Sequence, residues 1–153
     1  LTMLPEQIHL VIVGRHTEYT DKIERFIKEN KLEERVHIIS NVPFDDLPAF
    51  YQLAEIFVYP SRFEGFGIPI IEALYSGIPV VAATGSCLEE AGGPDSIYVH
   101  PDDIKGMANA FKQIYSDTER KKEMIEKGQK FAKRFSEEKQ AEEILNIYKK
   151  LMK

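Results

Sequence analysis

Two glutamates stand eight positions apart near the middle of the chain, and two glycines lie between them: Glu64, Gly65, Gly67 and Glu72. Glycine permits positive φ and lets a ligand approach the backbone closely. Ionised carboxylates accept hydrogen bonds from hydroxyl groups. If both glutamates reach one ligand from different sides, the segment has the residue types that bind a polyhydroxyl molecule.

A helix is predicted to follow the second glycine, over residues 68–76, with Gly77 placed to end it. Pro69 fits the first turn, because the N–H that proline lacks is not needed there. The first N–H groups of a helix have no partner within it, and the helix dipole is positive at this end. The sequence therefore predicts a site for a phosphate or for sugar hydroxyls at this helix start.

A structural interpretation of the same segment competes with this one. A Gly-x-Gly turn before a helix is often only a tight turn, in which case Glu64 is an exposed loop acid and Glu72 a solvated helix residue. The apolar neighbours of Glu72, among them Ile71 and Ala73, count against this interpretation. A carboxylate in such surroundings needs hydrogen-bond partners.

Strands and helices alternate along the first hundred residues. Strands are predicted at 8–13, 36–39, 56–59, 80–83 and 97–99, with helices at 20–30, 44–53 and 68–76. This alternation predicts an α/β fold with a doubly wound, mostly parallel, Rossmann-like sheet. The first strand is rich in β-branched residues, which favours burial on both faces. Ligands of such sheets bind beyond the carboxyl ends of the strands, and the loop with Glu64 follows the third strand.

Three helices are predicted after Pro101. The last one carries an apolar stripe that includes Ala141, Ile144 and Tyr148. It needs a surface to cover, because a helix of this length alone is marginal in water. The length of 153 residues is near the commonest single-domain size, so we expect one compact domain over residues 1–153.

The net charge of −5, from 20 basic and 25 acidic residues, is unevenly distributed. Residues 118–153 hold 11 basic and 7 acidic residues, which leaves 9 and 18 before them. The signs alternate along amphipathic helices, which favours a solvated helix face over a membrane or nucleic-acid patch. We expect no nucleic-acid partner, and nothing in this domain indicates membrane association.

No apolar run reaches the roughly 18 residues of a membrane span, and the first residues lack the features of a signal peptide, so we expect a cytoplasmic protein. The single Cys87 excludes an intrachain disulfide, and four scattered histidines give no metal-site spacing. We interpret Cys87 as a small loop residue rather than a nucleophile, because the sequence suggests no His partner. Neither a metal nor another cofactor is expected.

Residues 61–74, with 77–82 after them, are similar to the signature of glycosyltransferase family 4, the glycosyl transferases group 1, in which two glutamates are separated by seven residues. Weaker similarity extends over residues 41–51, 88–93 and 100–103. The segment 87–95, which we expect to be a loop, departs from the family pattern, with Glu89 where the family has proline. The resemblance implies one half of a GT-B fold: the C-terminal, donor-binding domain of a retaining glycosyltransferase.

The resemblance also implies roles for individual residues. Glu64 would lie near the transferred sugar as the catalytic residue, and Glu72 would bind the ribose hydroxyls. The other donor-binding residues that it implies are Gly14, Arg15, Val42, Pro43, Arg62, Gly65, Phe66, Gly67 and Ile68.

The donor that the resemblance implies is a UDP-, GDP- or ADP-sugar, bound without a metal. The acceptor, a sugar or glycolipid, would bind an N-terminal domain that we expect to be absent from this chain, so we expect the isolated domain to be inactive. A role in polysaccharide biosynthesis is plausible for the class.

Two other functions stay open. One is half of a sugar-nucleotide epimerase, or of a phosphorylase, of the same two-domain architecture, although a phosphorylase needs a pyridoxal-binding Lys and the site loops hold none. The other is a non-catalytic nucleotide-binding or interaction domain on a flavodoxin-like sheet, against which the Glu64 and Glu72 spacing argues. Dinucleotide binding is disfavoured, because no Gly-x-x-Gly turn follows Gly14.

Overall fold

The computed structural model describes residues 1–152, and Lys153, the last residue of the predicted domain, lies outside the described residues. The chain forms two compact units, Leu1–Ala49 and Phe50–Lys153. The strands are β1 (Leu10–Val13), β2 (Val36–Ile39), β3 (Phe57–Tyr59), β4 (Val80–Ala83) and β5 (Ile97–Val99). The helices are α1 (Glu18–Glu29), α2 (Leu47–Leu53), α3 (Ile68–Tyr75), α4 (Leu88–Gly92), α5 (Ile104–Ser116), α6 (Thr118–Ala132) and α7 (Glu137–Leu151).

Every strand pairing in the described residues is parallel. In Leu1–Ala49, β1 pairs with β2, and in Phe50–Lys153 the order is β3-β4-β5. Helices connect the strands, so the predicted parallel α/β fold class is confirmed.

The first unit pairs β1 with β2 in a register that sets Leu10 beside Val36. Helix α1 contributes the buried Ile27 to this unit. At the N-terminus of α1, the N–H of the N-cap residue Thr17 donates to the Thr20 hydroxyl at 2.9 Å. The prediction that β1 is buried on both faces is wrong, since Val11 is 48% and Val13 39% exposed. A two-stranded pair with one long helix in its unit has too little apolar surface around it to cover both faces.

The second unit is built around β4, whose four residues are completely buried. Side chains alternate across a strand. Val80 and Ala82 pack with residues of α3 and α4, while Val81 packs with Ile114 of α5 and Met124 of α6. The three-stranded sheet therefore has helices on both faces, and α3 is held on one of them.

Helix α4 occupies part of residues 87–95, for which the sequence predicted a loop. Leu88 and Ala91 lie three positions apart on the helix, and both are fully buried against the α3 side of the sheet. Tertiary packing thus supports a five-residue helix whose last residue, Gly92, is followed by Gly93, a composition typical of a loop.

Helix α7 has no buried residue. Its apolar side chains Ile144, Tyr148 and Leu151 are 51%, 60% and 77% exposed. The surface that its apolar stripe was predicted to cover is not supplied by residues 1–152. In the same part of the chain, no helix has the length and apolar character needed to cross a bilayer.

We expect Ile114→Val to lower the free energy of unfolding by about 0.5–1.5 kcal/mol, because it removes a methylene from a completely buried position. Ile104→Val on the same helix is the matched control, since Ile104 is 74% exposed. Urea denaturation of both variants measures the difference. Equal losses for the two variants would contradict the assignment of Ile114 to the core.

Candidate functional site

The start of α3 is shaped by Gly67, which has φ of 107° and lies directly before the helix. A Cβ here would lie 3.0 Å from Leu88 Cδ2 and 3.3 Å from Ala91 Cβ of α4. Pro69 lies in the first turn, and no side chain among the described residues caps this end. The predicted helix start is confirmed; within its first turn Pro69 has no N–H, and the Ile70 N–H donates to Gly67 O at 2.9 Å.

Gly65 and Gly67 differ in backbone conformation and in the space around a Cβ. Nothing lies within 4 Å of the position that a Cβ would take, and Gly65 is not among the described residues with positive φ. The conformational freedom of glycine is therefore used at Gly67 and not at Gly65. The other reason for a glycine, close approach of a ligand, stays a prediction at this position.

Glu72 lies on α3 and is partly buried. The Tyr51 hydroxyl donates to Glu72 Oε2 at 2.8 Å, so the expected hydrogen-bond partner of this carboxylate is present. Burial raises the pKa of Tyr51 well above its ordinary value, and the hydrogen bond to Glu72 adds to the shift. Tyr51 is therefore protonated at neutral pH and acts as the donor in this pair.

Glu64 has the same kind of partner. It is partly buried rather than exposed, and the Tyr59 hydroxyl donates to its Oε1 at 2.8 Å. Burial, and to a lesser extent this hydrogen bond, raises the pKa of Tyr59 to about 12. The Glu64 backbone carbonyl accepts a further bond from Cys87 Sγ at 3.3 Å. Both glutamates are thus fixed by the protein and are not freely solvated acids.

Of the other predicted residues near this helix start, Arg62 and Ile68 are exposed, whereas Phe66 is partly buried against the core. Arg62 forms a salt bridge with Asp102, and its Nη1 lies 3.3 Å from Asp102 Oδ2, with both side chains 63% exposed. The hydrogen bond from Arg62 holds the pKa of Asp102 below its ordinary value. Phe66 contacts the Phe135 ring edge-on at 5.6 Å, and Ile68 is 62% exposed. The guanidinium of Arg62 is therefore already paired with a carboxylate.

Four predicted residues belong to Leu1–Ala49. Gly14 and Arg15 follow β1, while Val42 and Pro43 follow β2. The two strands run parallel and the Gly14 N–H donates to Ile39 O at 3.2 Å, so the structure brings both segments to one edge of the two-stranded sheet. Arg15 is exposed at this edge.

Three residues that hold the two glutamates were not predicted as site residues: Tyr51, Tyr59 and Cys87. Tyr59 is the last residue of β3, five positions before Glu64, so its place at the carboxyl end of the strand was a usable signal. Tyr51 and Cys87 are 21 and 23 positions from their partners, and spacing gives no signal at such a separation. Within residues 1–152, no group of three His, Cys, Asp or Glu side chains is arranged to hold a metal ion.

Several solved structures share the fold of this chain. The chain superposes on sucrose-phosphate synthase from Thermosynechococcus elongatus with a TM-score of 0.86 and 26% identity, over 99% of this chain and 40% of that one. It superposes on Anabaena HepE in complex with UDP with a TM-score of 0.87 over 95% of this chain and 42% of that one, and there the 23% identity shows the fold alone. The fold is that of one half of a GT-B enzyme.

Sequence comparisons identify the family of this chain. A model described as glycosyl transferases group 1 matches residues 2–131. The chain is 32% identical over 142 residues to O-antigen chain mannosyltransferase B of Escherichia coli, and 35% identical over 130 residues to D-inositol 3-phosphate glycosyltransferase of Corynebacterium aurimucosum. These matches cover 93% and 84% of this chain but 37% and 31% of the relatives. The chain belongs to the glycosyl transferases group 1 family and spans less than half the length of these relatives.

We expect Gly67→Ala to lower the free energy of unfolding by about 1–3 kcal/mol, because alanine is strained at positive φ and its Cβ meets Leu88 and Ala91. Gly65→Ala is the control and should change it by less than about 0.5 kcal/mol. Urea denaturation distinguishes the two. A Gly65→Ala loss as large as that of Gly67→Ala would contradict the different roles given to the two glycines.

Proposed function

We propose that this chain is the donor-binding part of a retaining glycosyltransferase, and that it binds a nucleoside-diphosphate sugar whose sugar passes to an acceptor hydroxyl. The observation that carries the proposal is the pair of tyrosine-bonded glutamates on either side of an uncapped helix start. Membership of a glycosyltransferase family supports the reaction class.

The diphosphate is assigned to the first amides of α3. No side chain of the described residues caps this helix end, so its N–H groups and the positive end of its dipole are suited to an anion. Gly65 leaves open space in the loop before the helix, which allows a ligand to lie close to the backbone. Phe66 and Ile68 border the same turn.

The two carboxylates are assigned to different parts of the donor. Glu72 accepts hydrogen bonds from the ribose hydroxyls, and Glu64 lies near the transferred sugar. Each has one oxygen engaged by a tyrosine, which supports a fixed orientation toward a ligand. The roles that the family resemblance implies for Gly14, Arg15, Val42 and Pro43 of Leu1–Ala49 stay predictions.

The proposed chemistry is a substitution on one face of the sugar. The bond from the anomeric carbon to the diphosphate oxygen breaks through an oxocarbenium-like state, and the leaving diphosphate takes the proton of the acceptor hydroxyl as the new bond forms. Preorganised donors aimed at developing negative charge are the main means of rate acceleration in such a step. Amides at the start of α3 fill this role in the proposal, which needs no metal.

The names of similar proteins suggest which donors to test first. HepE has been crystallised in complex with UDP and with UDP-glucose, and several relatives are named mannosyltransferases. We therefore include UDP and GDP as first ligands, with ADP as the third. Because the chain spans 37% of the mannosyltransferase from Escherichia coli, acceptor binding and turnover are proposed to need sequence beyond these 153 residues.

Titration calorimetry of the chain with UDP, GDP and ADP is expected to show binding of at least one nucleotide. Glu72→Ala should weaken that binding by about 1–3 kcal/mol, because the proposed hydrogen bond from a ribose hydroxyl to this partly buried carboxylate is lost.

Glu126→Ala is the matched control, since Glu126 is an exposed glutamate of α6. It should leave the affinity unchanged. Absence of heat with all three nucleotides, at concentrations up to the millimolar range, would contradict the donor-site proposal.

A further inference from the structure

The two signature glutamates are held in the same way, although they lie on different elements. Glu64 is in the loop before α3 and Glu72 is inside α3, and each accepts a 2.8 Å hydrogen bond from a tyrosine hydroxyl. In each pair the tyrosine engages one carboxylate oxygen: Oε2 of Glu72 and Oε1 of Glu64. A carboxylate held by one oxygen has its rotation restricted, and its second oxygen keeps its capacity to accept.

The two tyrosines belong to one row of aromatic rings. The Tyr51 ring is tilted against Phe57 at a centroid distance of 5.4 Å, and Phe57 is stacked with Tyr59 at 5.9 Å. Phe57 and Tyr59 are two positions apart on β3 and therefore point to the same face. The row joins the partner of one glutamate to the partner of the other.

This row has a rigid base. Phe57 and Tyr59 are in register with Val80 and Ala82 of β4, both completely buried. All three rings pack against the core cluster that also contains Ile70 and Leu74 of α3. The position of the Tyr59 hydroxyl is thus set by β3, and that of the Tyr51 hydroxyl by α2 and by the packing of its ring on Phe57.

We propose that Tyr51 and Tyr59 are positioning residues of the donor site, each turning the second oxygen of its glutamate toward the ligand. Tyr51 acts through Glu72 on the ribose, and Tyr59 acts through Glu64 on the transferred sugar. The aromatic row fixes the spacing between these two contacts. This inference rests on the proposed function, because it assigns a cause to the orientation of the two residues that bind the donor there.

The experiment uses Tyr51→Phe and Tyr59→Phe, which keep the rings of the row and remove only the hydroxyls. Tyr75→Phe is the matched control, since Tyr75 is 46% exposed and lies at the other end of α3. Affinities are measured by calorimetry for UDP, GDP and ADP, for their 2′,3′-dideoxy forms, and for UDP-glucose, GDP-mannose and ADP-glucose. Thermal unfolding of each variant is followed by circular dichroism.

Tyr51→Phe is expected to weaken binding of the ribonucleotide about tenfold and to leave the dideoxy form within about twofold of wild type. Tyr59→Phe should leave the affinity for the nucleoside diphosphate within about twofold and weaken binding of its sugar nucleotide about tenfold. Tyr75→Phe should change none of these ratios. A purely structural role would weaken all ligands together, so the ratios separate positioning from damage to the fold.

Two results would overturn this inference alone. One is that Tyr51→Phe weakens binding of the ribonucleotide and of its dideoxy form equally. The other is that Glu72→Gln no longer binds the ribonucleotide more tightly than the dideoxy form while Tyr51→Phe still does. In both cases a wild-type chain that binds nucleotide leaves the proposed function standing. A wild-type chain that binds none of the nucleotides would overturn the proposed function and this inference together.

Discussion

A carboxylate among apolar neighbours must be hydrogen bonded, so the unit that contains Glu72 must supply a donor to it. It lies on α3 between residues of the core, where an unpaired charge would cost several kcal/mol. The Tyr51 hydroxyl donates this hydrogen bond at 2.8 Å. For that contact, α2 must hold Tyr51 beside Phe57 of β3. One polar contact therefore links the signature helix to the helix before it, and the ring contact of Tyr51 with Phe57 joins β3 to the pair.

The sheet supplies the rigidity on which that contact depends. β4 is completely buried, and its two faces pack against different sets of helices, so β3 is aligned by a strand that has little freedom to move. Gly67 then lets the chain turn into α3 directly above Leu88 and Ala91 of α4. Core packing and the left-handed glycine together set where the amides of the helix start and the two glutamates lie.

The sequence predicted most of the fold, because its signals were local. Parallel strands at 36–39, 80–83 and 97–99 have the predicted bounds, and the helix after Gly67 begins at the expected residue. Burial of β1 and the loop assigned to 87–95 were wrong, because both depend on which surfaces tertiary packing provides. The need of Glu72 for a partner followed from its apolar neighbours, whereas the identity of that partner depended on a contact 21 residues away.

A crystal structure of the chain with a bound nucleoside diphosphate would decide the proposal that the glutamates and the helix start form a donor site. We expect the ribose hydroxyls within hydrogen-bonding distance of Glu72, the diphosphate oxygens at the start of α3, and the bond from Tyr51 to Glu72 retained. A nucleotide bound elsewhere, or bound here with Glu72 out of reach of the ribose, would contradict it.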